Sequence, residues 1–166
     1  AVRRLYELAS TDLKVDLAKL SFDGPSEQLK QTRFTQPAIL VHSLAVMTVL
    51  GEEFPAFDFA AGHSLGEYGA LGAAGALSFD DAIKAVVRRA TLMEEACVAQ
   101  PGTMAAMMGL SEAQIVEVCA KAQTAGVVVP ANFNSGSQIA VSGSLAGVEE
   151  AVRVAKEMGA KRAIML

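Results

Sequence analysis

Phe57-Asp58-Phe59-Ala60-Ala61-Gly62-His63-Ser64-Leu65-Gly66-Glu67-Tyr68-Gly69-Ala70 is the stretch that decides the fold class. A short apolar run over 57–61 meets Gly-His-Ser-Leu-Gly, and small residues at helical spacing continue to about Ala76. The order reads strand, sharp turn, helix, the setting in which G-x-S-x-G forms a nucleophile elbow. With 11 Ser and 14 Gly in 166 residues, chance supplies only about 0.08 copies of that pattern. Gly62 and Gly66 are expected to keep Cβ atoms out of the turn, exposing Ser64 Oγ and leaving the Leu65 N–H facing a developing oxyanion. The plain alternative is a glycine-rich turn whose serine caps a helix.

Upstream, residues 1–34 read as short helical pieces broken at Asp23-Gly24-Pro25, after which Thr35-Gln36-Pro37 supplies a cap and a fixed φ for a helix reaching about Leu50. Ile39, Leu40, Val41, Leu44, Val46, Met47, Val49 and Leu50 cover every side of that helix, so it is expected to be buried all round. Downstream, Asp80 to about Val98 forms a second helix with Ser78 as its cap. Helix, strand and helix in succession argue an α/β layer structure over 1–102. After Pro101-Gly102 the grammar changes. Met104–Leu110, 127–132, 138–142 and 162–166 read as strands, and Glu112–Gln123 and Leu145–Met158 as helices capped by Ser111 and Ser144, the second closed by Gly159. The order β-α-β-β-α-β over 103–166 is that of a ferredoxin-like subdomain.

At 52% hydrophobic and 19% charged residues the chain has the apolar mass for a core, and disorder is excluded. A net charge of −4 is the wrong sign for a nucleic-acid partner. The longest charge-free stretch, 122–148, is broken by Gly126, Pro130, Asn132, Asn134 and Gly136, so it is not the run of about 20 apolar residues that a bilayer crossing needs, and no membrane partner is expected. No basic stretch followed by a small-residue cleavage site opens the chain, so no export signal is expected. Cys97 and Cys119 lie inside helical patterns and fit neither a metal clip nor a disulfide framework, which points to a reduced, cytoplasmic compartment.

A nucleophilic serine needs a base, and the chain offers only His42 and His63. His63 directly precedes Ser64, and the turn sends its side chain elsewhere, to pack or hydrogen-bond behind the elbow. His42, among the apolar residues of its helix, reads as a satisfied core histidine. The general base is therefore expected to be absent from these residues. On the helix after the elbow, Phe79, Ile83, Val86, Ala90, Met93 and Cys97 fall within about 40° of one line, which faces the core. Arg88 lies opposite, with Asp81, Lys84 and Glu95. Arg89 lies about 80° off the line, where its planar fork is able to take a carboxylate bidentately, or where it snorkels at the core edge. Glu94 sits nearer the apolar side than a solvated carboxylate should, and nothing in the sequence accounts for it.

These residues resemble the malonyl-CoA:acyl carrier protein transacylases and the related acyltransferase domains of fatty acid and polyketide synthases. Gln31-Thr32-Arg33-Phe34-Thr35-Gln36-Pro37-Ala38, the Gly62–Tyr68 stretch, Arg89 with Met93-Glu94-Glu95-Ala96, Gly102-Thr103-Met104-Ala105-Ala106, Ala131-Asn132-Phe133-Asn134-Ser135 and Gln138-Ile139-Ala140-Val141-Ser142-Gly143 follow the family's order and spacing. The resemblance implies part of an α/β-hydrolase-like acyltransferase core with an inserted ferredoxin-like subdomain. It implies Ser64 as acylated nucleophile, Leu65 N–H as half of an oxyanion hole, and Arg89 as the group that binds the malonyl carboxylate. Gly62, His63 and Gly66 would build the elbow. It further implies malonyl-CoA and acyl carrier protein as partners, no cofactor beyond these substrates and no metal. The family's N-terminal Phe-Pro-Gly-Gln-Gly motif and its catalytic histidine are expected before Ala1 and after Leu166, so the chain is expected to be the middle of a longer protein.

The rival with the same elbow is a serine esterase or thioesterase, for which a buried cation beside the acyl pocket has no use. A third reading makes residues 103–166 a non-catalytic binding module, and then elbow and arginine would both be coincidences. Leu65, with Gln31-Thr32 before Phe34-Thr35-Gln36-Pro37, resembles the malonyl-selective branch of the family.

Overall fold

The computed structural model describes all residues from Ala1 to Leu166 and is mixed α/β, with eight α-helices and one four-stranded sheet. Its contacts divide it into two units, Ala1–Ala96 and Cys97–Leu166.

The first unit is helical. It comprises α1 (Val2–Leu13), α2 (Leu17–Asp23), α3 (Ser26–Leu29), α4 (Thr32–Leu50), α5 (Gly66–Ala73) and most of α6 (Phe79–Ala99), with a 3₁₀ turn at Gly51–Glu53. Leu5, Ala9 and Leu13 of α1, Leu17 and Leu20 of α2, Leu40, Val41 and Leu44 of α4, and Ile83, Val86 and Val87 of α6 make one apolar cluster. Each set recurs at three- and four-residue intervals, so each helix turns one stripe to the shared core. Asp16 caps α2, its carboxylate accepting from Lys19 N–H at 2.9 Å. Ser78 caps α6, accepting from Asp81 N–H at 3.1 Å. Gly72 lets α5 approach α4, since a Cβ there would stand 3.3 Å from Leu44.

Four expectations need correction. Helix α4 begins at Thr32, not at Thr35, and carries Pro37 inside it. The first turn forms ahead of the proline because Phe34 is buried, the Phe34 and Thr35 N–H groups reach Gln31 O, and the Thr35 hydroxyl bonds Leu29 O. Next, α4 is not covered all round. Phe34, Gln36, Pro37, Leu40, Val41, Leu44 and Ala45 are buried, whereas Ile39, His42, Val46 and Val49 form an exposed stripe, Val49 at 74%. The segment 32–53 is long and apolar enough, by composition, to cross a bilayer; here it is the central helix of a packed cluster. Third, residues 57–61 form no strand, and Phe59 is 93% exposed. A strand needs a neighbour to complete its hydrogen bonds, and no other segment of the first unit is extended beside it. Finally, the stripe on α6 is buried only as far as Ala90, with Met93 and Cys97 exposed.

The second unit follows the expected order. Strands β1 (Thr103–Met108), β2 (Val128–Ser135), β3 (Gln138–Gly143) and β4 (Arg162–Met165) alternate with α7 (Glu112–Ala122) and α8 (Leu145–Glu157). The sheet order is β2-β3-β1-β4, with β3 antiparallel to β2 and β1, and β4 antiparallel to β1. Ala106 pairs with Ala140 on one side and Ile164 on the other, so Ala105, Met107, Ile139 and Val141 point together to the opposite face. There they pack with Ile115, Val118 and Cys119 of α7 and Val148, Ala151 and Ala155 of α8. Edge strand β2 departs from regular register between Pro130 and Asn132 and between Phe133 and Ser135. Gly143 and Gly147 both crowd the Val127 carbonyl; a Cβ at Gly143 would lie 2.0 Å and one at Gly147 2.6 Å from that oxygen. The same carbonyl accepts from Ser144 N–H at 2.8 Å, which joins the start of α8 to the chain entering β2.

Ser111 forms a full capping box on α7: its hydroxyl accepts from Gln114 N–H at 3.3 Å and its N–H donates to Gln114 Oε1 at 2.9 Å. Ser144 caps α8 by accepting from Gly147 N–H at 3.2 Å. Ser111→Ala and Ser144→Ala are each expected to destabilise by about 1 kcal/mol, read as a lower denaturation midpoint with an unchanged slope in urea. Both cysteines are free; Cys97 is exposed and Cys119 buried, where desolvation pushes its thiol up. Iodoacetamide should alkylate Cys97 in the native protein and reach Cys119 only once the fold opens, as mass spectrometry of the two peptides will report.

Candidate active site

The segment Gly62–Leu65 turns sharply into α5. Ser64 takes φ 53°, in the left-handed region that a residue with a side chain occupies at a cost. His63 O accepts from Gly66 N–H at 2.9 Å and Ser64 O from Glu67 N–H at 3.3 Å, which close the turn. Leu65 is the N-cap residue of α5, and its N–H finds no acceptor within the chain. Gly62 is sterically required, because a Cβ there would fall 2.0 Å from the carbonyl of Gly66. Gly66 differs from expectation: a Cβ at that position would meet nothing within 4 Å. The crowding of this turn rests on one glycine, since it is Gly62 that packs under the backbone of the other.

Both histidines lie outside the roles read from spacing. His42 is exposed on the uncovered side of α4 and so is not a core histidine. His63 is exposed and its imidazole makes no hydrogen bond behind the turn. Neither imidazole is bonded to Ser64, and the only side-chain partner of Ser64 Oγ is Arg89, whose Nη2 donates to it at 2.9 Å.

Adjacent arginines on α6 diverge. Arg88 is exposed, whereas Arg89 is half-buried. The Arg89 Nη1 donates to Oε1 of Gln36, a residue only 9% exposed, and Gln36 Nε2 donates to the Met93 sulfur at 3.2 Å. Three segments thus converge: α4 through Gln36, the turn before α5 through Ser64, and α6 through Arg89 and Met93. Glu94, unexplained by spacing, lies 3.7 Å from Arg33 Nε, and Arg33 stacks over Phe34 at 4.9 Å. The burial of Gln36 and its contacts with Arg89 and Met93 do not follow from the helix-start role that its place before Pro37 suggests. A signal for Gln36 was available, since it stands four residues before Leu40 and eight before Leu44, on the stripe of α4 that is buried. A polar side chain on such a stripe needs a partner.

Chemically, the site presents a hydroxyl on a strained turn, an unpaired backbone N–H on the next residue, and a guanidinium touching that hydroxyl. Arg89 also borders an open depression with Tyr68, Leu92 and Met93. A larger hollow is lined by residues of α1 and α2 with Lys14, Val15 and Asp16, and by none of these groups. No three His, Cys, Asp or Glu side chains converge as a metal site would require.

Residues 6–165 match the acyl transferase domain family. The chain is 46% identical over 167 residues to a malonyl CoA-acyl carrier protein transacylase of Bacillus subtilis, taking in 100% of this chain and 53% of that protein. It is similar in structure to a malonyl CoA-acyl carrier protein transacylase from Coxiella burnetii, with a TM-score of 0.90 at 43% identity over 99% of this chain and 52% of that one. A malonyl-transacylase solved in complex with a type II PKS acyl-carrier protein gives a TM-score of 0.89 at 40% identity, over 99% and 54% of the two chains. The chain spans about half the length of the relatives it matches. With nearly all of its length matched, it belongs to the acyl transferase domain family.

Proposed function

We propose that this chain is the serine- and arginine-bearing segment of a malonyl-CoA:acyl carrier protein transacylase, and the observation that carries the proposal is the Arg89 guanidinium seated 2.9 Å from Ser64 Oγ. Ser64 Oγ attacks the thioester carbonyl of malonyl-CoA; the O–C bond forms, the C–S bond breaks, and coenzyme A leaves with the proton lost by the serine. The phosphopantetheine thiol of acyl carrier protein then reverses the step and takes the acyl group. The Leu65 N–H stabilises the oxyanion in both halves. Arg89 holds the free malonyl carboxylate, for which a donor-only planar fork is suited.

A base must take the Ser64 proton, and neither histidine of this chain is bonded to that hydroxyl; in our reading the base and a second oxyanion donor come from other parts of the complete protein. The assignment of residues 1–102 to an α/β-hydrolase-like core with Gly62, His63 and Gly66 at its elbow, and of 103–166 to an inserted ferredoxin-like subdomain, belongs to the same proposal. So do a cytoplasmic setting and a reaction without cofactor or metal. The sheet order β2-β3-β1-β4 supports the subdomain assignment. Malonyl is favoured as the acyl group because a dicarboxylic monothioester alone gives Arg89 an anion to bind. For the same reason the esterase reading is weaker, since a neutral ester offers this half-buried cation no counter-charge.

Incubation of the complete protein with radiolabelled malonyl-CoA should label Ser64, and Ser64→Ala should abolish the label; label retained at another residue would overturn the nucleophile. A charge-assisted pair contributes about 1.5–3 kcal/mol, so Arg89→Ala should lower kcat/KM for malonyl-CoA by about 10- to 100-fold while acetyl-CoA turnover holds or rises. Arg88→Ala serves as the control and should change neither.

A further inference from the structure

We propose that Gln36 and Met93 form a positioning pair that aims the fork of Arg89, an inference that rests on the carboxylate role given to Arg89 above. Arg89 and Met93 stand four residues apart on α6, one turn from each other on the same face. Both reach across to a single buried amide on α4. Every polar hydrogen of a guanidinium is a donor, so the end of the Gln36 amide that faces Arg89 must be its oxygen. The NH₂ end is thereby turned to Met93, whose thioether is a weak acceptor and no donor. The guanidinium thus settles which way a symmetric-looking amide points, and the sulfur gives the NH₂ end that is left an acceptor. If the amide turned over, an NH₂ group would confront a guanidinium, donor against donor.

This arrangement has a consequence for acyl selection. Gln36 occupies Nη1 of Arg89 with a neutral acceptor, which fixes the plane of the fork without cancelling its charge. Nη2, held at 2.9 Å from Ser64 Oγ, stays where an acyl group on that oxygen would carry its free carboxylate. An amide is the group that does this; a carboxylate at residue 36 would fix the fork equally well but neutralise it.

The difference is open to test in the complete protein by comparing malonyl-CoA with acetyl-CoA as acyl donors in Gln36→Glu, Gln36→Ala, Met93→Leu and Arg89→Ala. A purely structural role for Gln36 makes Glu the mild change and Ala the harmful one. Positioning reverses the order. Gln36→Glu should raise KM for malonyl-CoA by about 100-fold and Gln36→Ala by about 10-fold, with kcat for malonyl and all acetyl-CoA parameters nearly unchanged, because the contact is made equally in ground and transition states. Met93→Leu keeps volume and loses only the acceptor, so KM for malonyl-CoA should rise about 2- to 10-fold. Should Gln36→Ala fail to fold, the other two variants still decide. Equal losses for malonyl and acetyl donors, or none for either, in Gln36→Glu and Met93→Leu would overturn the pair if Arg89→Ala still removes the malonyl preference. If Arg89→Ala itself leaves that preference intact, the carboxylate reading falls and the positioning role falls with it.

Discussion

A guanidinium withdrawn from water must be answered by acceptors, and the neighbourhood of Arg89 is organised by that requirement. Its two acceptors come from different elements, Gln36 Oε1 of α4 and Ser64 Oγ of the turn before α5. Helix α6 supplies the cation, and the apolar stripe Ile83, Val86, Ala90 sets how far that cation stands from the core. Moving any of the three would strand a half-buried charge. The hydroxyl is thus brought to the arginine by packing that begins with α4, the helix whose buried side also holds Leu40, Val41 and Leu44.

The turn at Ser64 and the amide at Gln36 show two different ways of storing specificity. Ser64 holds a left-handed backbone conformation that costs of order 1–3 kcal/mol, and the turn survives because Gly62 lets the chain fold back against Gly66. Gln36 stores nothing in strain. It fixes direction by hydrogen-bond polarity alone, with an oxygen toward a donor and a nitrogen toward a sulfur.

How much of this is legible in the sequence depends on whether an element finds its partners nearby. All six elements over 103–166 are readable to within a few residues, and the caps at Ser111 and Ser144 are visible by residue type, because the sheet and helices complete one another inside that stretch. In the first unit the reading fails where burial depends on something more than pattern. Residues 57–61 have the composition of a strand but no strand to pair with, and α4 has apolar residues on a side that nothing in this chain covers. His42 is misread for the same reason. Arg88 and Arg89 are separated correctly by helical angle, since exposure and half-burial follow from their positions around α6. The bond from Arg89 to Ser64 is not readable from spacing, because 25 residues and a turn of unusual backbone geometry intervene.

The irregular register of β2 bears on how this protein behaves in crowded solution. A strand at the margin of a sheet exposes a row of unpaired amide and carbonyl groups, a template for a second chain to extend. In β2 that row is interrupted: Pro130 contributes no N–H, and two breaks in register bend the ladder within eight residues. The β2 margin is therefore not the long, flat edge on which fibrils nucleate, even though the strands of the sheet are rich in alanine, valine and methionine.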